Sequence, residues 1–250
     1  MCLIAVAWQA HPSFSLVVAA NRDEWRDRPT ESARWWTEHP QLLAGRDLQA
    51  GGTWMGITKG GRFAAVTNFR DPSDRRSTAR SRGELVTDYL LGDAPPEIFL
   101  ARLTPRVALY SGFNLLAGDR ENLFYLGSRD PHVMPVAPGV HGLSNHMLNE
   151  PWPKVLRARA AMGGALDDDN PAPRLFAMLS DATLAPDDQL PDTGVGLELE
   201  RRLSAPLIVG PGYGTRTSTV LTVARDGHMT FDERTLTPEG APSETQMFVF

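Results

Sequence analysis

Two β-hairpins constrain this chain most, because a short turn between β-rich runs can only send the chain back antiparallel. In the clearer one, Lys59-Gly60-Gly61-Arg62 separates the run Thr53-Trp54-Met55-Gly56-Ile57-Thr58 from Phe63–Asn68. Gly-Gly at that place predicts a primed turn. The other hairpin joins the apolar runs Cys2–Trp8 and Ser15–Ala20 through a turn at Ala10-His11-Pro12-Ser13. Arg70–Arg82 is polar and basic and reads as a loop. Apolar residues at helical spacing predict helices over Gly83–Leu91 and Pro95–Leu103. Strands resume at Phe113–Ala117 and Leu123–Leu126, and further helices are expected over Trp152–Met162 and Arg174–Leu179. Ala182–Gly196 is rich in Pro, Asp and Gly and predicts a mobile loop. Leu207–Val209, Ser218–Ala224, His228–Phe231 and Gln246–Phe250 read as closing strands. This order lacks regular βαβ alternation, which argues against a doubly wound parallel sheet and for stacked antiparallel layers.

At 250 residues the chain is long enough for one large domain with a full core, and a single domain over 1–250 is expected. A net charge of −5 and a pI near 5.7 give no support for nucleic-acid or membrane-surface binding. No run approaches the roughly 18 apolar residues of a membrane span. One cysteine excludes an intrachain disulfide framework and fits a reducing compartment, so a cytoplasmic protein is expected. The histidines at 11, 39, 132, 141, 146 and 228 show no metal-ligand spacing, so neither a metal nor a cofactor is expected. Oligomeric state is left open.

The one cysteine is Cys2, directly behind the initiator methionine. Methionine aminopeptidase removes Met1 before a small side chain, so the mature chain is expected to begin with a thiol and a free α-amine on one residue. That amine titrates at about 7.7–8.0 and can serve as the base for its own thiol. The alternative is a small apolar residue opening a buried strand.

If the first turn is centred between His11 and Pro12, antiparallel partners sum to about 23, and Cys2 faces Asn21 with Arg22 beside it. Asn21-Arg22-Asp23-Glu24 then lands at the strand end that carries the thiol. Arg22 could lower the thiol pKa, and Asp23 or Glu24 could hold the α-ammonium. A charged strand end meeting water is the other reading. Asn68 and Asn145 are each either turn formers or amide donors to an oxyanion. Arg216 could clamp a carboxylate, assist Cys2 or pair with a surface acid, and a Cys–His dyad with His141 or His146 is a weaker option.

Met1-Cys2, Asn21-Arg22-Asp23-Glu24, Gly51-Gly52-Thr53-Trp54, Val66-Thr67-Asn68-Phe69-Arg70, Leu143-Ser144-Asn145 and Tyr213-Gly214-Thr215-Arg216 together resemble one family. It is the NRDE family, also called the transport and Golgi organisation protein 2 family. That family in turn resembles the N-terminal nucleophile hydrolases, most closely the penicillin V acylase and bile salt hydrolase branch. The resemblance implies an α+β fold, a four-layer αββα sandwich of two antiparallel sheets between helical layers. It also implies a Cys-dependent hydrolase acting on a non-peptide C–N amide bond of a small acyl compound. Carried across by motif, Cys2 resembles the nucleophile, Arg22 the arginine beside it, and Asp23 the carboxylate that holds the new amine. Glu24 competes for that last role because the usual spacing after the arginine is longer. Asn68 is similar in placement to an oxyanion donor, and Asn145 and Arg216 are looser matches for substrate-binding positions. Eukaryotic relatives, associated with secretion, Golgi organisation, lipid metabolism and haem trafficking, imply a second reading. In it the same pocket binds haem or an acyl-CoA-like lipid without catalysis.

Overall fold

The computed structural model describes residues 2–74 and 80–250. Met1, whose removal is expected, and part of the loop expected over Arg70–Arg82 lie outside the described residues. Strands β1 (Cys2–Trp8) and β2 (Phe14–Trp25) form the first hairpin, followed by β3 (Thr30–Trp35), β4 (Leu42–Asp47), β5 (Met55–Thr58) and β6 (Phe63–Asn68). Helices α1 (Arg82–Leu91) and α2 (Pro96–Leu103) come next, then β7 (Phe113–Gly118), β8 (Leu123–Gly127), β9 (Asp130–Pro135) and β10 (Gly139–Leu143). Helices α3 (Pro153–Ala165), α4 (Ala172–Leu179) and α5 (Leu197–Arg202) precede β11 (Tyr213–Ala224), β12 (Met229–Leu236) and β13 (Pro242–Val249). The chain divides into two compact units, one of Met1–Asp27, Pro138–Ser144 and Leu148–Phe250, the other of Arg28–Ala137 and Asn145–Met147.

The first unit is built on a six-stranded sheet in the order β10-β1-β2-β11-β12-β13. Side chains alternate between sheet faces, and Leu3, Ala5, Ala7, Val17, Ala19 and Val220 all fall on one face. There they pack against Val155, Ala158 and Met162 of α3 and Leu175, Phe176 and Leu179 of α4. Pro153 opens α3 in its first turn, where the missing N–H costs no intrahelical bond.

The second unit is a seven-stranded meander, β3 to β9 in sequence order. Leu85, Val86, Tyr89 and Leu90 of α1 and Leu100 and Leu103 of α2 pack on Leu42, Ala44, Ala64, Val66 and Leu115. The Ser81 side chain caps α1 by accepting the Gly83 N–H at 3.3 Å. Strand-to-strand pairing within both sheets is antiparallel, so the expected α+β class with two antiparallel sheets and helices holds.

Several local expectations are corrected. The first hairpin pairs residues that sum to 24, with Cys2 opposite Arg22 and Trp8 opposite Leu16. The Gln9 N–H bonds the Ser15 carbonyl at 2.8 Å, and His11 Nδ1 accepts the N–H groups of Ser13 and Phe14. The loop is therefore odd-numbered and centred on Pro12 itself. The second hairpin does not use a primed turn. Gly61 alone of the glycine pair has a left-handed φ, +86°, and bonds from Gly61 N–H to the Thr58 carbonyl and from Thr58 N–H to the Arg62 carbonyl close a three-residue loop. Leu207–Val209 is not a strand, because its backbone bonds elsewhere: the Leu207 N–H reaches the Asp181 carbonyl and the Ile208 N–H reaches Thr215 Oγ1. Residues 182–196 are irregular apart from a 3-10 turn at Asp187–Gln189. The strands β3, β4, β9 and β10 and the short helix α5 are additional to the expected elements.

Candidate active site

Strand β2 runs between β1 and β11 and carries the tetrad Asn21-Arg22-Asp23-Glu24 along its last turn of pleat. Cys2 is the first residue of β1 and stands opposite Arg22, which on its other side stands opposite Thr217 of β11. Directly opposed Cβ atoms lie roughly 4.5–5.5 Å apart. Because Leu3, Ala5 and Ala7 occupy the helix-packed face, Cys2 and Arg22 share the opposite one. Arg22 is buried, and its Nη2 lies 3.6 Å from Glu24 Oε2, so Glu24 serves as a partner of the arginine.

Asp23 is buried on the helix side of the same strand end. Its Oδ1 accepts from Thr215 Oγ1 at 2.7 Å, and that hydroxyl in turn accepts the Ile208 N–H at 2.9 Å. Tyr213 donates its hydroxyl to the Asp23 carbonyl at 3.3 Å. Burial pushes the Asp23 carboxyl above its ordinary range, against the opposing pull of the amino-terminal charge, Lys154, the Thr215 bond and Arg22.

The thiol departs from expectation. Burial is the largest influence on Cys2 and pushes its pKa up. The amino-terminal charge, Arg22 and a hydrogen bond from the Asp23 backbone N–H pull it down, while the Asp23 carboxylate pushes it up. Arg22 thus acts in the expected direction, but burial wins.

Arg216 is the extra residue of a β-bulge, since Thr215 pairs with Asp23 and Thr217 with Arg22. Its Nη1 donates to the Trp25 carbonyl at 3.1 Å. Burial, then Arg22 and Arg26, lower its pKa, and Glu24 and Asp27 oppose them. Gly214 makes the approach of β11 possible, because a Cβ there would meet the Ile208 carbonyl oxygen at 2.6 Å. Asn21, expected opposite Cys2, instead points into the helix side. Its Nδ2 donates to the carbonyls of Leu179 (2.8 Å) and Pro206 (2.9 Å), and Oδ1 accepts from Ser218 Oγ at 2.6 Å.

In the second unit Asn68 ends β6 and pairs with Phe113. Asn145 Nδ2 donates to the Asn68 carbonyl at 3.0 Å, and the Asn145 carbonyl accepts the Arg70 N–H at 2.7 Å. The two asparagines are therefore together, with Asn145 bracketing the end of β6. Of the two histidines offered for a dyad, His141 does not reach the thiol. His141 lies opposite Val6, four residues or roughly 13 Å along β1 from Cys2, and His146 stacks on Phe69. No group of three or more His, Cys, Asp or Glu side chains that could hold a metal exists among the described residues.

Sequence reasoning missed three supports of the cluster. Thr215 Oγ1 donates to Asp23 Oδ1, Ser144 Oγ donates to the Cys2 carbonyl at 2.9 Å, and Lys154 is a buried cation felt by Asp23. The Tyr213-Gly214-Thr215-Arg216 run carried the signal for the first. Lys154 had none, since a lysine early in a helix reads as solvent-facing.

The family model for Transport and Golgi organisation 2 matches residues 1–238. The human Transport and Golgi organization protein 2 homolog is 36% identical over 258 residues, covering 94% of this chain and 93% of that protein. The Bos taurus homolog is 38% identical over 259 residues, with the same shares of 94% and 93%. Among solved structures, the C2A mutant of the conjugated bile acid hydrolase from Clostridium perfringens is similar with a TM-score of 0.44 and 10% identity, covering 99% of this chain and 97% of that one.

Proposed function

This chain belongs to the Transport and Golgi organisation 2 family, and we propose that it is a cysteine amidohydrolase acting on a small acyl amide or related acyl compound. The observation that carries the reading is the pairing of Cys2 with Arg22, with the Asp23 N–H donating to the same sulfur. Because burial keeps the thiol protonated at rest, attack needs a base at the moment of reaction. The α-amine of a chain that begins at Cys2 is that base, with an ordinary pKa of about 7.7–8.0. Sγ attacks the carbonyl carbon as the thiol proton passes to the amine. The C–N bond then breaks, and the leaving amine takes that proton. Water attacks the resulting thioester, giving a proton to the α-amine, and the acid leaves as the thiol is restored.

In this reading Arg22 stabilises negative charge on sulfur, Asp23 holds the α-ammonium, and Glu24 and Arg216 set the charge around the entrance to the cluster. The roles of Asn68 as oxyanion donor and Asn145 as a substrate contact rest on the family resemblance. A cytoplasmic location also remains part of the proposal, and no helix among the described residues is long and apolar enough to cross a membrane.

A second reading is favoured by the relatives' names, which speak of transport and Golgi organisation, and by a thiol that burial pushes up rather than down. It is a carrier that binds haem or an acyl-CoA-like lipid, with Cys2 as a ligand. The two are separated by giving protein that begins at Cys2 a panel of acyl amides, haem and acyl-CoA. An amidohydrolase releases amine in a reaction that Cys2→Ala abolishes. A carrier releases none, and Cys2→Ala shifts its Soret band or weakens binding.

A further inference from the structure

The edge strands of the two sheets are β10, β13, β3 and β9, and they are not finished alike. An edge left bare is a template for another strand, so proteins blunt edges with cover, charge, proline or bulges. The outer side of β10 is covered. Arg159 Nε donates to the Val140 carbonyl at 3.3 Å, and Asn149 takes the Gly142 N–H on Oδ1 while donating its own N–H to the Gly142 carbonyl. Strand β3 carries the Glu31–Arg34 ion pair and a break in register between those residues. Strand β9 carries Pro131 and Pro135. At β13 such devices stop early. Pro242 opens the strand, and Ser243 is the extra residue of a bulge, since Thr235 pairs with Glu244 and Leu236 with Pro242. From there Thr245-Gln246-Met247-Phe248-Val249-Phe250 runs on with no proline, glycine or charge.

The backbone of this run faces two ways. Phe250 and Met229 exchange both backbone bonds, at 3.0 and 2.8 Å, and so form a hydrogen-bonded pair. Such pairs alternate along an antiparallel ladder, so Phe248 and Gln246 also turn their backbone groups toward β12. Val249, Met247 and Thr245 turn theirs outward, where no strand among the described residues pairs with them. The side chains of the same three residues make one exposed row. Met247 stands opposite Asp232, which stands opposite Val220, so the row lies on the helix side of the sheet. There Met247 is 66% and Val249 65% exposed.

We propose that β13 pairs antiparallel with β13 of a second copy of this chain, about a two-fold axis at Met247, to give a dimer with one sheet continuous through both copies. About that axis Met247 meets the partner's Met247, and Thr245 meets the partner's Val249. All of these are outward-facing residues, so each pair exchanges both backbone bonds. Their side chains join into a single apolar row across the seam. Charge fixes the register. Glu244 is the only charged residue of β13, and about this axis it lies roughly 20 Å along the strand from the partner's Glu244. An axis at Thr245 would bring the two carboxylates to about 7–8 Å and draw the Ser243 bulge into the ladder. One strand pair is a small interface beside that of a permanent dimer, so the association depends on concentration. It holds whether or not Cys2 reacts.

The test is sedimentation velocity of the full chain from low to high micromolar concentration. Wild type should pass from monomer to dimer. Met247→Pro removes an N–H that points off the edge, a place where a strand tolerates proline. It should leave the melting temperature near wild type and weaken self-association by roughly tenfold or more, as loss of the central pair of hydrogen bonds requires. If Met247→Pro does not fold, Met247→Lys is read by the same criterion, because it sets like charges opposite each other at the axis. Register is read by oxidation in a Cys2→Ala background. Met247→Cys should cross-link to its copy, since paired Cα atoms there lie about 5.5 Å apart. Thr245→Cys should not, because its copy is roughly 13 Å along the strand. Wild type that stays monomeric throughout, or a dimer that the folded Met247 variants leave intact, overturns the proposal. Thr245→Cys cross-linking as readily as Met247→Cys overturns it as well.

Discussion

Cys2 and Arg22 are direct partners across the β1–β2 ladder, on the sheet face away from α3 and α4. A slip of one residue would exchange Arg22 for Asn21 and turn every side chain of β2 over. Asn21 prevents that slip. Its amide is spent on the carbonyls of Leu179 and Pro206, and Ser218 bonds its oxygen. The tetrad is thus divided by the pleat, with Asn21 and Asp23 anchored on the helix side and Arg22, paired with Glu24, on the face that carries the thiol.

Removing Arg22 should slow the thiol. Burial already pushes the Cys2 pKa up, and the guanidinium pulls against it, so Arg22→Ala leaves less thiolate at a given pH. Alkylation by iodoacetamide at pH 8 is expected to be several-fold slower than in wild type. An unchanged rate would mean that Arg22 and the sulfur do not interact.

The pH profile of that alkylation carries its own prediction. With its pKa above the ordinary thiol value, Cys2 should react slowly at pH 7 and keep accelerating beyond about pH 10, where a surface cysteine levels off. A plateau below pH 8 would point to a pre-formed thiolate instead.

Asn21→Ala should be the most damaging change in the tetrad for the fold. It deletes three buried hydrogen bonds and leaves two carbonyls and a hydroxyl to find new partners, for a loss of about 2–4 kcal/mol in urea unfolding. Glu24→Gln, which weakens a partly exposed ion pair, should stay within about 0.5 kcal/mol.

Gly214→Ala tests the approach of β11 to the cluster. The added methyl would sit 2.6 Å from the Ile208 carbonyl oxygen, so backbone must move, at a cost of about 1–3 kcal/mol. Because Ile208 also bonds Thr215, the same variant should disturb the Asp23 carboxylate. Stability equal to wild type would contradict this packing.

The sequence is legible where local chemistry and the final fold agree. β1, β2, β6, β7 and β8 are short apolar runs, and their edges lie within a few residues of expectation, apart from the longer C-terminal end of β2. β3 and β9 are illegible because they are edge strands with mixed, partly exposed sequences. Thr30–Trp35 buries one residue of six, and Asp130–Pro135 has a proline at its end. The site was legible as a cluster but not in its register, because a ring nitrogen of His11 takes two backbone N–H groups and recentres the turn by half a residue. The thiol's raised pKa could not be read at all. It depends on how deeply one strand end is covered, which no local pattern encodes.

The central claim, that Cys2 is a nucleophile, is tested most directly by intact mass. Protein that begins at Cys2, incubated with a panel of acyl amides and quenched in acid, is expected to gain the mass of one acyl group. The mass gain should be located on Cys2, be absent from Cys2→Ala and be lost on standing as the thioester hydrolyses. No adduct on Cys2 across the panel, with stoichiometric binding of haem or acyl-CoA by the same preparation, would contradict the claim.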